Sequence, residues 1–172
     1  MSPLPDPEAE RVLLELLNST PVLEGVGVDL LGRDDEAAAW ARPLGGTGSV
    51  AEAGHLRRVR HQLQAVTRGG EPAATLAPLL RGVRLLPHVA EGGVDWVLDV
   101  VDDRRLATRA VLAWGRVQEE LPGRLRPCAN DECRLFLLDR SRPNTARWCS
   151  MKVCGNRLKA RRHYQRTQQA EP

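Results

Sequence analysis

Long apolar runs, a secretion signal and most aromatic side chains are missing from this sequence of 172 residues. No apolar run approaches the roughly 20 residues that a helix needs to span a bilayer. The first segment, MSPLPDPEAER, has neither the basic start nor the apolar core of a secretion signal, so we expect a cytoplasmic protein without a membrane span. Phe and Tyr occur once each and Trp four times, which leaves few aromatic anchors for a protein interface.

Patterns typical of an active site are also missing. The segment GGTG, residues 45–48, lacks the Lys-Ser/Thr pair of a phosphate-binding loop and is interpreted as a linker. His55 and His61 are six positions apart, so they do not share a helical face as two zinc ligands four apart would. Asp102 and Asp103 are better explained as a helix cap than as an acid/base pair. We therefore expect that this protein is not an enzyme.

Charge is divided unevenly along the chain. Residues 124–172 hold 12 Lys and Arg against four acidic residues, a net charge of +8. Residues 1–123 hold the remaining 13 basic and 18 acidic residues, a net charge of −5. A basic module can displace counterions from a phosphate backbone, so the pattern favours DNA or another polyanion as partner. The alternative is a solvated basic tail.

The first part of the chain, residues 1–122, is predicted to be a mostly helical domain. Apolar periodicity predicts helices in PEAERVLLELLN, DDEAAAWARPLG, AEAGHLRRVRHQLQAV, PAATLAPLLRGV and RRLATRAVLAWGRVQEEL. The runs RLLPHVA and VDWVLDVV predict a small β-hairpin with the loop EGG. Asn18 is expected to end the first helix. On the third helix, Leu56 and Leu63 belong to the apolar stripe, and Arg60 is expected on the solvated side.

The four cysteines all lie in the basic module. Cys128, Cys133, Cys149 and Cys154 have the spacing C-x4-C-x15-C-x4-C. Two close pairs separated by a hairpin-sized spacer suit tetrahedral Zn²⁺. Two disulfides are the alternative, but a cytoplasmic chain keeps its thiols reduced, so zinc is favoured. Four protein ligands leave no open position on the ion, which indicates a structural site.

The residues around the cysteines predict how the module folds. RLFLLD is strand-like, SRPN is turn-like and TARWC returns, so Cys133 and Cys149 are expected at the two ends of a hairpin. Ser150 is expected to cap a helix that carries Cys154 in its first turns. The sequence thus predicts an α+β protein: a helical N-terminal domain with a small sheet, and a treble-clef-like zinc finger in residues 123–172.

The run CANDECRLFLLDRSRPNTARWCSMKVCGNRLKARRHYQR resembles the CGNR zinc finger, which is named for the tetrapeptide found here at residues 154–157. The flanking patterns F-x-x-D-x-S and R-W-C-S-M belong to the resemblance. In that family the finger follows an ABATE domain, which the resemblance implies for residues 1–122. It also implies a stress-responsive transcription regulator, with an effector ligand proposed to bind the N-terminal domain. Separately, the abundance of Ala, Gly and Arg, with only two lysines, favours a GC-rich bacterial source.

Basic residues of the finger form the predicted DNA-binding surface. Lys152, Lys159, Arg162 and Arg166 fall on one stripe of the last helix, Arg157 and Arg161 flank the stripe, and Arg140, Arg142 and Arg147 belong to the predicted hairpin. One finger offers few base contacts, so sequence-specific binding would require a homodimer formed through the N-terminal domain. Three alternatives remain: a finger that docks an acidic protein, an RNA-binding finger, and a zinc-site thiolate that senses alkylation or oxidation.

Overall fold

Four α-helices and three two-stranded antiparallel sheets form residues 7–156, the part of the chain described by the computed structural model. The helices are α1 (Pro7–Leu17), α2 (Asp34–Ala41), α3 (Val50–Thr67) and α4 (Asp102–Glu120). The strands are β1 (Val22–Leu23), β2 (Val26–Gly27), β3 (Arg84–Ala90), β4 (Gly93–Asp99), β5 (Leu125–Pro127) and β6 (Phe136–Leu138). The predicted α+β class is confirmed. Within the described range, no helix is both long and apolar enough to cross a membrane.

Helices α1, α3 and α4 enclose the main core. Each buries the apolar stripe that its sequence predicts, including Leu13 and Leu16 of α1, Leu56 and Leu63 of α3, and Leu106 of α4. The Ser49 hydroxyl caps α3 by accepting a hydrogen bond from the Glu52 backbone N–H at 3.0 Å. The predicted helices therefore form where the apolar period of the sequence is strongest.

Two predicted helical features differ from the structure. The segment Ala73–Leu80 is a 3-10 helix, because it contains Pro78, which lacks the N–H that an α-helix requires. The predicted cap of α4 is also wrong: Val101 occupies that position without a side-chain bond. Asp103 instead accepts hydrogen bonds from the hydroxyls of Ser49 at 2.7 Å and Thr47 at 2.9 Å. Its carboxylate thus joins the start of α4 to the loop before α3.

Arg60 is buried, although the helical pattern placed it on the solvated side of α3. Its guanidinium makes two hydrogen bonds with the Asp29 carboxylate, one of them at 2.8 Å, and a third with the Ser19 hydroxyl at 3.2 Å. The hydrogen bonds from Arg60 lower the pKa of Asp29 below its usual value. A charged side chain can be buried on the inner face of a helix only when it is paired and hydrogen-bonded. The partners of Arg60, Ser19 and Asp29, lie far from it in the sequence, so the helical pattern does not reveal them.

The predicted hairpin forms from β3 and β4, with a loop of two residues rather than three, because Ala90 pairs directly with Gly93. Its side chains are exposed on both faces over most of its length; Val89 is 80% exposed and Trp96 49%. One face borders an apolar groove of about 960 Å³ between the hairpin and α4. The hairpin is therefore an arm with little core of its own.

The finger and the helical body share one core. Leu125 of β5 and Phe136 of β6 are buried in the same apolar cluster as α1, α3 and α4. The side chain of Asn18 accepts a hydrogen bond from the Phe136 N–H at 2.7 Å and donates one to the Phe136 carbonyl at 3.3 Å. The guanidinium of Arg68 lies 4.4 Å from the centre of the Phe136 ring. A boundary between residues 122 and 123 stays a prediction, and contacts cross it.

Candidate metal centre

Three different segments bring the cysteines together. Cys128 and Cys133 lie in the loop that joins β5 to β6. Cys149 follows the long loop after β6, and Cys154 lies in a single helical turn, Met151–Gly155. This turn has π rather than α geometry. The site therefore depends on both the β5–β6 hairpin and the helix start.

The predicted hairpin between Cys133 and Cys149 is wrong. Strand β6 pairs backward with β5, with Leu125 opposite Leu138, and residues 139–149 contain no strand. The run RLFLLD does contain a strand, β6, as predicted. Its partner, however, is β5, which is only three residues long and ends at Pro127. Such a short segment gives no period-2 signal, so the sequence could not identify it as the partner strand.

The spacing of the sulfur atoms fits a tetrahedral metal ion. All four Sγ atoms lie within 4.8 Å of one another. Cys149 Sγ is 3.6 Å from both Cys133 Sγ and Cys154 Sγ. Zn–S bonds of about 2.3 Å in a tetrahedron separate the sulfurs by about 3.8 Å, whereas a disulfide requires about 2.05 Å. The cluster is consistent with Zn²⁺ and does not contain disulfides.

Hydrogen bonds to the sulfurs surround the site. The Cys149 backbone N–H donates to Cys128 Sγ at 3.5 Å, and the Asn130 side-chain amide donates to Cys154 Sγ at 3.6 Å. Asn130 is 2% exposed and its Oδ1 accepts from the Glu132 N–H, which fixes the orientation of the amide. Sequence reasoning missed Asn130. The location of Asn130 between Cys128 and Cys133 is the feature of the sequence that could have identified it as a neighbour of the metal site.

Without a metal ion, the thiols of Cys133 and Cys149 are weaker acids than a free cysteine. Burial raises the pKa of Cys133 to about 11, and burial also raises the pKa of Cys149. Burial acts in the same direction on Cys154, but hydrogen bonds from Asn130 and the other thiols outweigh it and lower its pKa. Since a zinc ligand must be a thiolate, metal binding should release protons and strengthen as the pH rises.

The helix turn that carries Cys154 is fixed by two neighbours. The Ser150 hydroxyl caps it by accepting from the Val153 N–H at 3.4 Å, as predicted. A Cβ at position 155 would lie 2.6 Å from Cδ1 of the Trp148 ring, so only glycine fits there. The indole side chain thus explains the glycine of the CGNR tetrapeptide.

Asp139 organises the loop that leads to Cys149. Its buried carboxylate accepts hydrogen bonds from Arg126 Nη2 at 2.7 Å, the Ser141 N–H at 2.8 Å and the Ala146 N–H at 2.7 Å. Hydrogen bonding from Ser141, with smaller contributions from Ala146 and Arg126, lowers the pKa of Asp139 to about 2 against the effect of burial. The stabilisation is therefore complete above about pH 4 and is lost as the pH falls toward 2.

The predicted DNA-binding residues have different environments. Arg140 forms an ion pair with Glu10 of α1, with distances of 2.5 and 2.6 Å. Arg147 lies over the Trp148 ring at 4.8 Å, and Arg142 and Lys152 are exposed. The remaining candidates, Arg157, Lys159, Arg161, Arg162 and Arg166, lie outside the described residues. The structure thus places Arg142, Arg147 and Lys152 on segments that carry the third and fourth cysteines or lead to them.

Replacing Asn130 with Ala should weaken zinc binding by 10- to 100-fold, because outer-shell hydrogen bonds orient a ligand and tune its sulfur. The measurement is competition for zinc with a chromophoric chelator at fixed pH. Asp131→Ala is the matched control, since Asp131 is exposed in the same loop. Equal zinc affinity in the two variants would contradict the role assigned to the Asn130 amide.

Comparison with known proteins supports the finger. Residues 124–167 match the family model of the CGNR zinc finger. No curated protein gave a significant match to the chain. The matched range contains all four cysteines and does not extend into the helical body, where the ABATE domain stays a prediction. The match and the sulfur geometry together indicate a zinc finger module whose four cysteines are positioned to bind a metal ion.

Proposed function

We propose that this protein is a DNA-binding transcription regulator of the cytoplasm, in which the zinc finger contacts DNA and the helical body contributes dimerisation and effector binding. The observation that carries the proposal is the net charge of +8 in residues 124–172, built on a four-cysteine site. Lys and Arg around a small metal-stabilised module favour a phosphate backbone as partner. The four uncrosslinked thiols suit a reducing compartment.

Zinc, when bound, supplies cross-links among the β5–β6 loop, the following loop and the helix turn. Four cysteines complete a tetrahedral shell, so we propose a structural role without catalysis. The cross-links would hold Arg142, Arg147 and Lys152 in a fixed arrangement. Of Arg140, Arg142 and Arg147, Arg140 is the least available to a phosphate because it is paired with Glu10.

The direct test of DNA binding is selection of bound fragments from random duplex DNA by the zinc-loaded protein at two salt concentrations. We expect an enriched sequence that persists at the higher salt. Changing Arg142 and Lys152 to Glu should lower affinity and reduce the salt slope by about 0.9 for each phosphate that is no longer neutralised, with zinc content unchanged. Arg162→Glu with Arg166→Glu applies the same test to the predicted helix stripe.

Arg33→Glu is the control for these charge changes, because Arg33 is an exposed arginine of the body that pairs with Asp35. Its DNA affinity should match that of the unaltered protein. Recovery of DNA without an enriched sequence would indicate a nonspecific clamp. DNA binding that survives both double substitutions would show that another surface makes the contacts.

A finger that docks an acidic protein is the second candidate. Met151 and Val153 are exposed apolar residues in the helix turn that also carries Lys152. Apolar contacts of this kind are typical of protein interfaces, and the DNA proposal does not use them. Met151→Ser with Val153→Ser should leave DNA affinity unchanged. If the unaltered protein selects no DNA, the protein-docking function takes precedence.

The arm formed by β3 and β4 is the surface that we propose for dimerisation with a second copy of the chain. Its exposed apolar side chains are Leu85, Leu86, Val89, Val94, Trp96 and Val97. The largest exposed fractions are 80% for Val89, 57% for Val94 and 49% for Trp96. Four of them, Leu85, Val89, Val94 and Trp96, lie on one face of the arm, and an exposed apolar face of this kind is typical of an interaction surface.

Sedimentation equilibrium tests the dimer. We expect a mass of twice the 19.0 kDa chain for the unaltered protein. Val89→Glu with Val94→Glu should give the monomer mass, because these residues face each other across the arm and would place four carboxylates in the interface. Arg33→Glu should remain dimeric. A monomer mass for the unaltered protein at micromolar concentration would refute the proposal.

A further inference from the structure

A small basic pocket lies on the helical body, between α3, α4 and the end of the 3-10 helix. Its volume is about 270 Å³. Its polar lining residues are His55, Arg58, Arg81, Arg104 and Thr108, and its apolar ones are Val59, Pro78, Leu79 and Ala107. No carboxylate is among the described residues that line it. The pocket is therefore strongly basic, although residues 1–123 carry a net charge of −5.

The arginines of this pocket differ from most others in the body. Arg57, Arg60 and Arg105 each pair with an aspartate. In contrast, the side chains of Arg58 and Arg81 have no hydrogen-bonding or ion-pair partner within residues 7–156. Both are exposed to solvent, so water solvates them when the pocket is empty, and an anion in the pocket could replace that water.

Arg104 is held rigidly in the pocket wall. Its Nη2 donates to the Leu79 carbonyl at 2.9 Å and to the Arg81 carbonyl at 3.1 Å. These bonds use one of its nitrogens, and neither Nε nor Nη1 has a partner among the described residues. A guanidinium fixed in this way retains donors for a planar or tetrahedral oxyanion without losing side-chain entropy on binding.

Thr108 contributes a hydroxyl group to the pocket. It lines the pocket and is only 2% exposed, yet its hydroxyl makes no hydrogen bond to any residue of the described range. Thr108 therefore offers an unused donor to a ligand in the pocket.

His55 completes the lining. Burial, followed by the charges of Arg104 and Arg58, lowers the pKa of His55, and the Asp103 carboxylate opposes them only weakly. At neutral pH the ring is therefore uncharged and can donate one N–H. An anion placed among these groups would reverse the effect of the two arginines and raise the pKa of His55.

We propose that this pocket binds a small oxyanion, a phosphate or carboxylate group, through the guanidiniums of Arg58, Arg81 and Arg104 and the hydroxyl of Thr108. A volume of about 270 Å³ is below the usual range for a drug-sized ligand, so the site accepts a small anion or only the anionic end of a larger molecule. The proposal names a chemical class for the effector of the proposed regulator. Binding of the anion itself does not depend on DNA binding.

The experiment is titration of the zinc-loaded full chain with inorganic phosphate and, separately, with succinate, by calorimetry and thermal unfolding. Chloride at equal ionic strength is the reference. We expect at least one oxyanion to bind saturably and to raise the melting temperature beyond the effect of chloride. Phosphate alone, succinate alone or both would each support the site and identify the class of oxyanion.

The variants separate this pocket from the basic finger, which also attracts anions. Arg58→Gln with Arg81→Gln should weaken oxyanion affinity at least tenfold, whereas Arg33→Gln should leave it unchanged. Thr108→Val should weaken affinity without lowering the melting temperature of the ligand-free protein, because its hydroxyl has no bond to lose. An unchanged oxyanion affinity in the double variant, or an oxyanion effect no larger than that of chloride, would overturn the proposal.

DNA selection distinguishes a failure here from a failure of the proposed function. The ligand-free pocket variants should select the same DNA sequences as the unaltered protein, because the finger is intact. If the protein binds oxyanion in the pocket but selects no DNA, the oxyanion site is supported and the proposed DNA-binding function is contradicted. If the protein selects DNA but binds no oxyanion, the proposed DNA-binding function is supported and the oxyanion site is contradicted.

Discussion

Cys149→Ser should release the metal ion and unfold the segments that carry the cysteines, while α1 to α4 remain helical. Cys149 Sγ is 3.6 Å from two of the other three sulfurs, so its loss leaves an incomplete tetrahedron. Zinc contributes about 10 kcal/mol or more to the folding of small finger modules, which is the largest single effect expected in this chain. Zinc per chain, measured by a chelating dye, should fall to zero, with most far-UV helical signal retained.

Arg142→Ser is the control for this substitution, because Arg142 is exposed in the loop that leads to Cys149 and no role in metal binding is assigned to it. It should keep one zinc per chain. A Cys149→Ser protein that still holds one tightly bound zinc would mean that the four cysteines are not the ligand set.

Phe136→Ala should lower the free energy of unfolding by about 3–5 kcal/mol, because it empties a ring-sized space where the finger meets the body. The Arg68 guanidinium would also lose its stacking partner. For a chain of this length the melting temperature should fall by roughly 10 °C. Zinc should remain bound, since Phe136 is not a ligand and its backbone bonds to Asn18 do not need the ring.

Phe136→Leu is the matched control, since it keeps most of the buried volume and should cost less than about 1.5 kcal/mol. Calorimetry of both variants also reports whether the body and the finger unfold together. Two separate transitions in the unaltered, zinc-loaded protein, with only the finger transition shifted by Phe136→Ala, would show that the shared core does not couple them.

The sequence predicted the cysteine cluster more accurately than it predicted the strand pairing around that cluster. The spacing of the four cysteines, the Ser150 cap and the position of Cys154 in a helix turn are all local patterns. The structure brings the four cysteines together and confirms the cap and the helix turn. The partner of β6 depended on a three-residue strand that carries no periodic signal. Local patterns identify the ligands of a site, whereas strand pairing depends on contacts that short segments do not encode by themselves.

The buried polar residues also show that local patterns were predicted and tertiary contacts were not. Helical periodicity assigned Arg60 to solvent and treated Asn18 as a helix end, because neither pattern contains the distant partner. Asp139 was part of the F-x-x-D-x-S pattern, but its three hydrogen bonds could not be inferred from it. Residues of this kind take their roles from tertiary contacts, which a single sequence does not display.

The side-chain amide of Asn18 makes the same pair of hydrogen bonds with the Phe136 backbone that a neighbouring strand would make, because it donates to the carbonyl and accepts from the N–H. Together with the shared core around Phe136 and the Glu10–Arg140 ion pair, it fixes the finger against α1. Two fingers in a dimer would then be held at one separation and one relative rotation. Inserting a single base pair between half-sites shifts them by about 3.4 Å and turns them by about 35°. A regulator built this way should therefore accept one half-site spacing and reject its immediate neighbours.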